Sequence, residues 1–347
     1  MSYLLIVGIF VVTNMIAALG LNLQLGFGGI VNLAFILFFA CGAYFTAVFT
    51  IGPPGSSQDH LLAQTYLFGA RFPWPLPLII GVLATIALGY VVARLLFRNE
   101  RDDFAGLAAV AIFLICWNAV GDWGGLFNGW NGLSAIPQLY QSISQGGYES
   151  QTEMAVYLGV CAVFAAGSYW YCQRLILSPF GRSLKAVREN RAAASALGIN
   201  PNQATRKAFI IGCALAGLSG GLFVQGATVW SPSTWALPET VALIAAVILG
   251  GRGNNFGSIM GIVFFQGILN EGAHLIPGSA QNGNLIAATQ WIVISLTTVL
   301  VLWARPAGIF PERKRIWPKD VSRGLAKPDQ VSGELLVRTV DSAGETK

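Results

Sequence analysis

The apolar residues of this chain come in long runs. Nine stretches, at about residues 3–23, 25–50, 76–97, 104–120, 153–175, 208–229, 237–250, 256–276 and 285–304, stand between polar connections. Most reach the roughly 18 to 25 residues that a helix needs to cross about 30 Å of hydrocarbon at 1.5 Å per residue. The fourth and seventh are short, which fits tilted, broken or partly spanning segments. Only 11% of positions are charged, against about 25% in soluble globular chains. The expected fold is therefore all-α, a polytopic transmembrane helical bundle of about nine spans. A membrane β-barrel would instead alternate apolar and polar residues every second position. Gly26-Phe27-Gly28-Gly29, Pro232 and Pro238 interrupt or flank the runs. Such breaks survive in a membrane only where protein or water satisfies the freed backbone groups.

Basic residues set the expected orientation, because Lys and Arg in short loops stay on the cytoplasmic side. With nine spans, one alternating set of connections holds 20 of the 21 Lys and Arg residues, and the other holds Arg71 alone. The N-terminus is then expected outside and the C-terminus in the cytoplasm. The first run has no basic leader or small-residue cleavage pattern, so a retained span is expected. Residues 305–347 mix Arg, Pro, Lys, Glu and Gly without apolar periodicity and read as a cytoplasmic tail, partly disordered.

Little in the chain suggests catalysis. The two histidines, His60 and His274, have no partner at helical metal-binding spacing, and Cys41, Cys116, Cys161, Cys172 and Cys213 all fall inside apolar runs. The run LGGRGNNFG at 249–257 follows an apolar segment, and no Gly-Lys-Ser or Gly-Lys-Thr occurs anywhere. A phosphate-cradling loop needs that lysine in a strand–turn–helix setting, so this segment reads as a turn between spans. No catalytic residue, bound cofactor or metal is expected. Glu153 and Glu239 stand at the starts of runs, where a helix N-terminus favours a carboxylate, while Glu271 lies beside Asn270 near the end of the eighth. Asn14, Asn32, Asn118 and Gln266 are polar residues inside runs. They are candidate pathway-lining groups, although such residues more often bond helix to helix.

One polar segment is different. Arg182 to Leu197 predicts a helix of about four turns. A 100° wheel puts Ala186, Val187, Ala193, Ala194 and Leu197 on one side, with Leu184 at its margin. Arg182, Lys185, Arg188 and Glu189 lie on the other. Gly198 stops the helix and Asn200-Pro201 turns the chain. A helix lying on lipid would carry bulkier apolar residues, so this small-sided face suits close approach to another protein.

The segment GRSLKAVREN…AAASALGIN, followed by KAFIIGCALAGLSGGLF, resembles the cytoplasmic coupling loop of ABC importer permeases. Four further blocks are similar, in order, to the branched-chain amino acid permease family of the LivH/LivM type, closest to LivM. They are ALGLNLQLGFGGIVNLAFILFFACGAYFTAV (18–48), NGWNGLSAIP (128–137), SPSTWALPETVALIAAVILGGRGNNFGSIMG (231–261) and WARPAGIFPER (303–313). The resemblance implies a permease domain over residues 1–304, with its coupling loop at about 176–206. It also implies a non-catalytic subunit of an ATP-driven importer in the bacterial inner membrane. Its partners would be two ATPase subunits carrying ATP and magnesium, a second LivH-like permease, and a periplasmic substrate-binding protein. The ATPase-coupling residues would be Arg182, Leu184, Lys185, Val187, Arg188, Glu189, Ala193, Ala194, Leu197 and Gly198. Branched-chain or other small neutral amino acids are the implied substrates, with urea, short amides and aromatic acids left open. One position departs from the family pattern: Arg191 stands where a glutamate is common. The composition alone also admits an ion-coupled transporter or channel.

Overall fold

The computed structural model describes residues 2–53, 64–97, 105–137 and 151–270, isolated positions between 292 and 305, and residues 308–312. In chain order the helices are α1 (Ser2–Asn22), α2 (Phe35–Ile51), α3 (Leu76–Leu96), α4 (Ala105–Asp122), α5 (Gly124–Phe127) and α6 (Gln151–Leu177). There follow α7 (Pro179–Glu189), α8 (Arg191–Ala196), α9 (Pro201–Ala227), α10 (Leu237–Gly250) and α11 (Asn255–Ile262). Two of them run on into wider π-helical turns, α1 through Leu23–Phe27 and α11 through Val263–Asn270. Among the described residues there is no strand, only two isolated bridges.

Six helices of the described residues are long and apolar enough to cross a membrane, and α2 is a seventh apolar helix of 17 residues. Most of the ninth expected span, with His60, His274, Glu271 and nearly all of the tail, lies outside the described residues. Two boundaries differ from the sequence reading. The second run was expected from residue 25, but helix resumes only at Phe35. Here the chain leaves the π turn and reverses through Gly29 in the left-handed region, at φ 67°. The sixth span begins at Pro201 rather than 208, because Asn200 caps it: Asn200 Oδ1 accepts the Gln203 amide at 3.0 Å.

α9 is the axis of the bundle, packed against α1, α2 and α3. Its sequence explains why. Lipid is as apolar as leucine, so helices in a membrane associate through close packing, which small residues permit. A Cβ at Gly20 of α1 would come within 2.8 Å of the Gly212 carbonyl, and one at Gly89 of α3 within 2.9 Å of Cys213 Cβ. On α2 a Cβ at Gly42 would collide with the Gly217 backbone, and one at Gly220 of α9 with the Phe39 carbonyl. Ser219 Oγ adds a cross-helix bond to the Thr13 carbonyl at 2.7 Å.

One end of the bundle is knitted by the NGWNGLSAIP block. Asn128, left-handed at φ 64°, accepts the Thr65 amide at 3.3 Å and donates to the Gly132 carbonyl at 2.7 Å. Leu133 and Trp230 exchange backbone hydrogen bonds of 2.8 Å each. Trp117 Nε1 donates to the Pro232 carbonyl at 2.9 Å. The α2–α3, α4–α6 and α9–α10 connections are thereby joined.

Replacing Gly220 with Val forces a branched side chain into the Phe39 backbone. We expect a loss of about 1–3 kcal/mol of stability from overpacking, read as a lower melting temperature in detergent. An exposed control, Gly167→Val, should melt as the wild type does, because a Cβ there meets nothing within 4 Å.

Candidate functional site

The opposite end of the bundle carries the polar segment, and its local structure is set by capping residues. Ser178 closes α6 and opens α7: its Oγ accepts the Gly181 amide at 3.4 Å, and Pro179 takes the first helical position. Gly181 lets the chain fold back tightly, since a side chain there would run into the Ile176 backbone. The single helix expected over Arg182–Leu197 is instead two. Asn190 is extended (φ −155°, ψ 108°), and its Oδ1 accepts the Ala193 amide at 2.9 Å, so it ends α7 and caps α8. Gly198, at φ 81°, ends α8, with Ile199 N donating to the Ala194 carbonyl at 3.1 Å.

With this break, only part of the expected apolar face is buried. Leu184 is completely buried in the main core. Val187 and Ala194 are buried together against Ala204, with Ala186 and Ile199 at the margin. Ala193, Gly198 and Leu197 are exposed, Leu197 by 80%. Arg182 and Glu189 are also exposed. Arg191 braces the break: its Nη2 donates to Asn202 Oδ1 at 2.6 Å, joining the start of α8 to the start of α9. That bond gives Arg191 a partner within the chain.

Lys185 and Arg188 turn inward. Lys185 Nζ lies 2.7 Å from Glu312 Oε1 and 5.1 Å from the centre of the Phe27 ring. Arg188 Nη2 donates to Glu312 Oε2 at 3.0 Å and to Glu189 Oε1 at 2.7 Å. Arg188 Nη1 donates to the Gly26 carbonyl at the end of the π turn. Burial alone would raise the Glu312 carboxyl, but the Lys185 and Arg188 hydrogen bonds outweigh it and hold the group below its ordinary 4.5. Burial likewise disfavours the Arg188 cation, and Glu189 and Glu312 more than restore it, so its pKa is raised.

Glu312 is itself fixed. Ile309 N donates to the Leu249 carbonyl at 2.9 Å and Phe310 N to the Gly250 carbonyl at 3.0 Å, while the Phe310 and Phe256 rings meet edge to face. Beneath Gly26, Asn22 Oδ1 accepts the Gly253 amide at 2.9 Å and Asn22 Nδ2 donates to Asn255 Oδ1 at 3.1 Å. Asn255 Nδ2 reaches Gln173 Oε1 of α6 at 3.2 Å. Sequence reasoning missed Asn22, Gln24, Asn255 and Glu312. The first two carried a signal, Asn22 as an amide at the end of an apolar run and Gln24 as the single polar residue between two runs. Glu312 carried none, since its partners lie 124 and 127 residues away.

The candidate lining residues are not gathered in one place. Asn14 Nδ2 donates within its own helix to the Phe10 carbonyl at 2.9 Å, and Asn118 Nδ2 to the Leu114 carbonyl at 2.8 Å from an exposed position. Asn32 is buried and donates to Gln24 Oε1 at 3.0 Å, while Gln24 Nε2 donates to the Phe209 carbonyl at 2.8 Å. Gln266 is half-buried in the π-helical extension of α11. Among the described residues, no three His, Cys, Asp or Glu side chains could hold a metal ion.

The sequence profile of a family described as branched-chain amino acid transport system / permease component matches residues 3–302. The chain belongs to that family. It is 26% identical over 314 residues to the LivM high-affinity branched-chain amino acid transport permease of Salmonella typhimurium, covering 85% of this chain and 67% of the relative. A probable LivM of Methanocaldococcus jannaschii is 25% identical over 302 residues, or 84% of this chain and 83% of the relative. The LivH permease of Escherichia coli is 25% identical over 316 residues, with coverage of 88% and 94%. No solved structure matches.

Two outcomes follow for this permease. Asn190→Ala removes the α8 cap, a loss of about 1 kcal/mol, and should accelerate amide exchange at 192–196 while leaving α9 protected. Because the Glu312 pKa is depressed, its contribution is complete above the ordinary carboxylate range and is lost as pH falls through the lowered value. Infrared difference spectra of wild type against Glu312→Gln should therefore show the protonated Glu312 carbonyl band reaching half its full height only below pH 4.5.

Proposed function

We propose that this permease is one transmembrane subunit of an ATP-driven importer for branched-chain or other small neutral amino acids. It lies in a bacterial inner membrane as about nine spans, with its N-terminus outside and α7–α8 in the cytoplasm. It pairs with a second, LivH-like permease, takes substrate from a periplasmic binding protein, and is driven by two ATPase subunits that hold ATP and magnesium. The chain itself performs no catalysis and binds no cofactor.

The observation that carries this reading is the outward face of α8. Ala193, Leu197 and Gly198 are exposed on a short, doubly capped helix whose other side is anchored by Ala194. Small side chains allow a partner to approach closely, and Leu197 offers one apolar knob. The caps matter because a partner can push only on an element that does not fray. Membership of a family of transport permeases, and relatives named for branched-chain amino acid transport, support the substrate class. The partner's nucleotide state supplies the energy. By gripping one orientation of α7–α8 more tightly than another, it biases the bundle between two conformations.

Neither Ala194 nor Gly198 is suited to a test of this face. Ala194 is 2% exposed, so a bulky residue there would disrupt the permease's own packing. Gly198 needs its positive φ, so Val there would strain the turn. Leu197→Asp and Ala193→Trp alter only the outward face. We expect both to melt as the wild type does but to lose the ATPase on co-purification, with leucine uptake reduced at least tenfold. Undiminished ATPase recovery and stimulated turnover in both would overturn the proposal. Leucine uptake by the isolated permease in liposomes under an ion gradient alone would place it among ion-coupled transporters instead.

A further inference from the structure

A coupling helix must hand its displacement to the membrane part, and α7 is joined to that part by a closed ring of contacts. It leaves α6 through Ser178 alone. Arg188 then ties it to the end of the first span at the Gly26 carbonyl. Asn22, one turn back, binds the α10–α11 connection at Gly253 and Asn255. Asn255 returns to α6 through Gln173. Glu312 spans the ring, gripping Lys185 and Arg188 from a segment stapled to the same connection.

The ring has little slack. A side chain at Gly26 would collide with Asn22 Oδ1 and the Gly253 amide, and one at Gly253 would come within 2.8 Å of the Glu312 carboxylate. The chemistry also suits a joint between a helix end and a carboxylate. The last carbonyls of a helix lack intrahelical partners and carry partial negative charge, so a guanidinium is favoured there. Arginine alone can serve that carbonyl and a carboxylate at once through its planar fork of donors.

We propose that Arg188, held in place by Glu312 and Lys185, is the joint through which movement of α7–α8 reaches the π-helical end of the first span. The coupling segment and the Leu23–Phe27 turn then move as one body. These are positioning residues, and they touch neither substrate nor nucleotide. The force that drives the joint rests on the importer reading above; the joint itself does not.

The test has two arms. In the permease alone, in lipid nanodiscs, amide exchange is followed by mass spectrometry. Arg188→Gln should speed exchange at least tenfold in both Leu23–Phe27 and Pro179–Glu189, with α9 unchanged. Glu312→Gln, placed outside the spans, should do the same more weakly and guards against misfolding of the first variant. Arg188→Lys keeps the charge but cannot reach both acceptors, so it should fall between. In the complex with its ATPase, Arg188→Gln should lower the radiolabelled leucine delivered per ATP hydrolysed at least fivefold. Glu312→Asp should recover part of what Glu312→Gln loses. Wild-type protection in both segments would overturn the joint, as would a wild-type leucine-to-ATP ratio. Loss of ATPase binding with unchanged exchange would also overturn it, by making Arg188 part of the docking face. A wild-type permease that retains no ATPase would sink the importer reading, and the exchange arm would still judge the joint.

Discussion

In hydrocarbon, a backbone amide or carbonyl without a partner costs several kcal/mol, and water is not there to supply one. The first span, with its π turn, ends at Phe27 and helix resumes only at Phe35, so backbone groups freed around this break need partners elsewhere. Arg188 takes the Gly26 carbonyl and Asn32 Oδ1 the Ala34 amide, while the side chains beside the break reach outward, Gln24 to the Phe209 carbonyl and Asn22 to the Gly253 amide. The bonds that leave the break recruit different elements: α9, the α10–α11 connection and α7. Satisfying one break therefore gathers most of this end of the bundle around it, including the coupling segment.

The packing around α9 complements this arrangement. Glycines on α1, α2, α3 and α9 bring backbones into contact at positions where even one added carbon would collide. Close-packed interiors of this kind shift between discrete arrangements rather than deforming continuously. In the importer proposed above, a push on α7–α8 would reach this body where α7 meets the break in the first span, at Arg188 and Gly26. The far end, bound together through Asn128, Leu133 and Trp230, is a separate polar knot with its own hydrogen bonds.

The coupling segment illustrates how a plausible wheel can mislead. Over Arg182–Leu197 the helix formers and the apolar spacing were legible, and so was the Gly198 stop. One asparagine, Asn190, interrupts the segment because its side chain offers the next helix a better cap than continued helix would. That single turn sends Ala194 inward and Leu197 outward. It also leaves Arg191 facing Asn202 rather than a partner. The cap at Asn200 was legible too, since Asn-Pro before a run of good formers is a start signal, but the apolar count alone placed that boundary too late.

By itself the sequence determined the helical class, the approximate place of most long apolar segments, and the presence of a polar helical segment ending at Gly198. Those properties follow from local quantities: run length against hydrocarbon thickness, helix propensity, and the glycine stop. The tertiary structure alone decided which basic residues face outward, which amides bind which backbone groups, and that Glu312 closes the ring. Such pairings join residues more than a hundred positions apart. They are chosen by whichever buried polar group would otherwise go unpaired, and no periodicity in the chain encodes that choice.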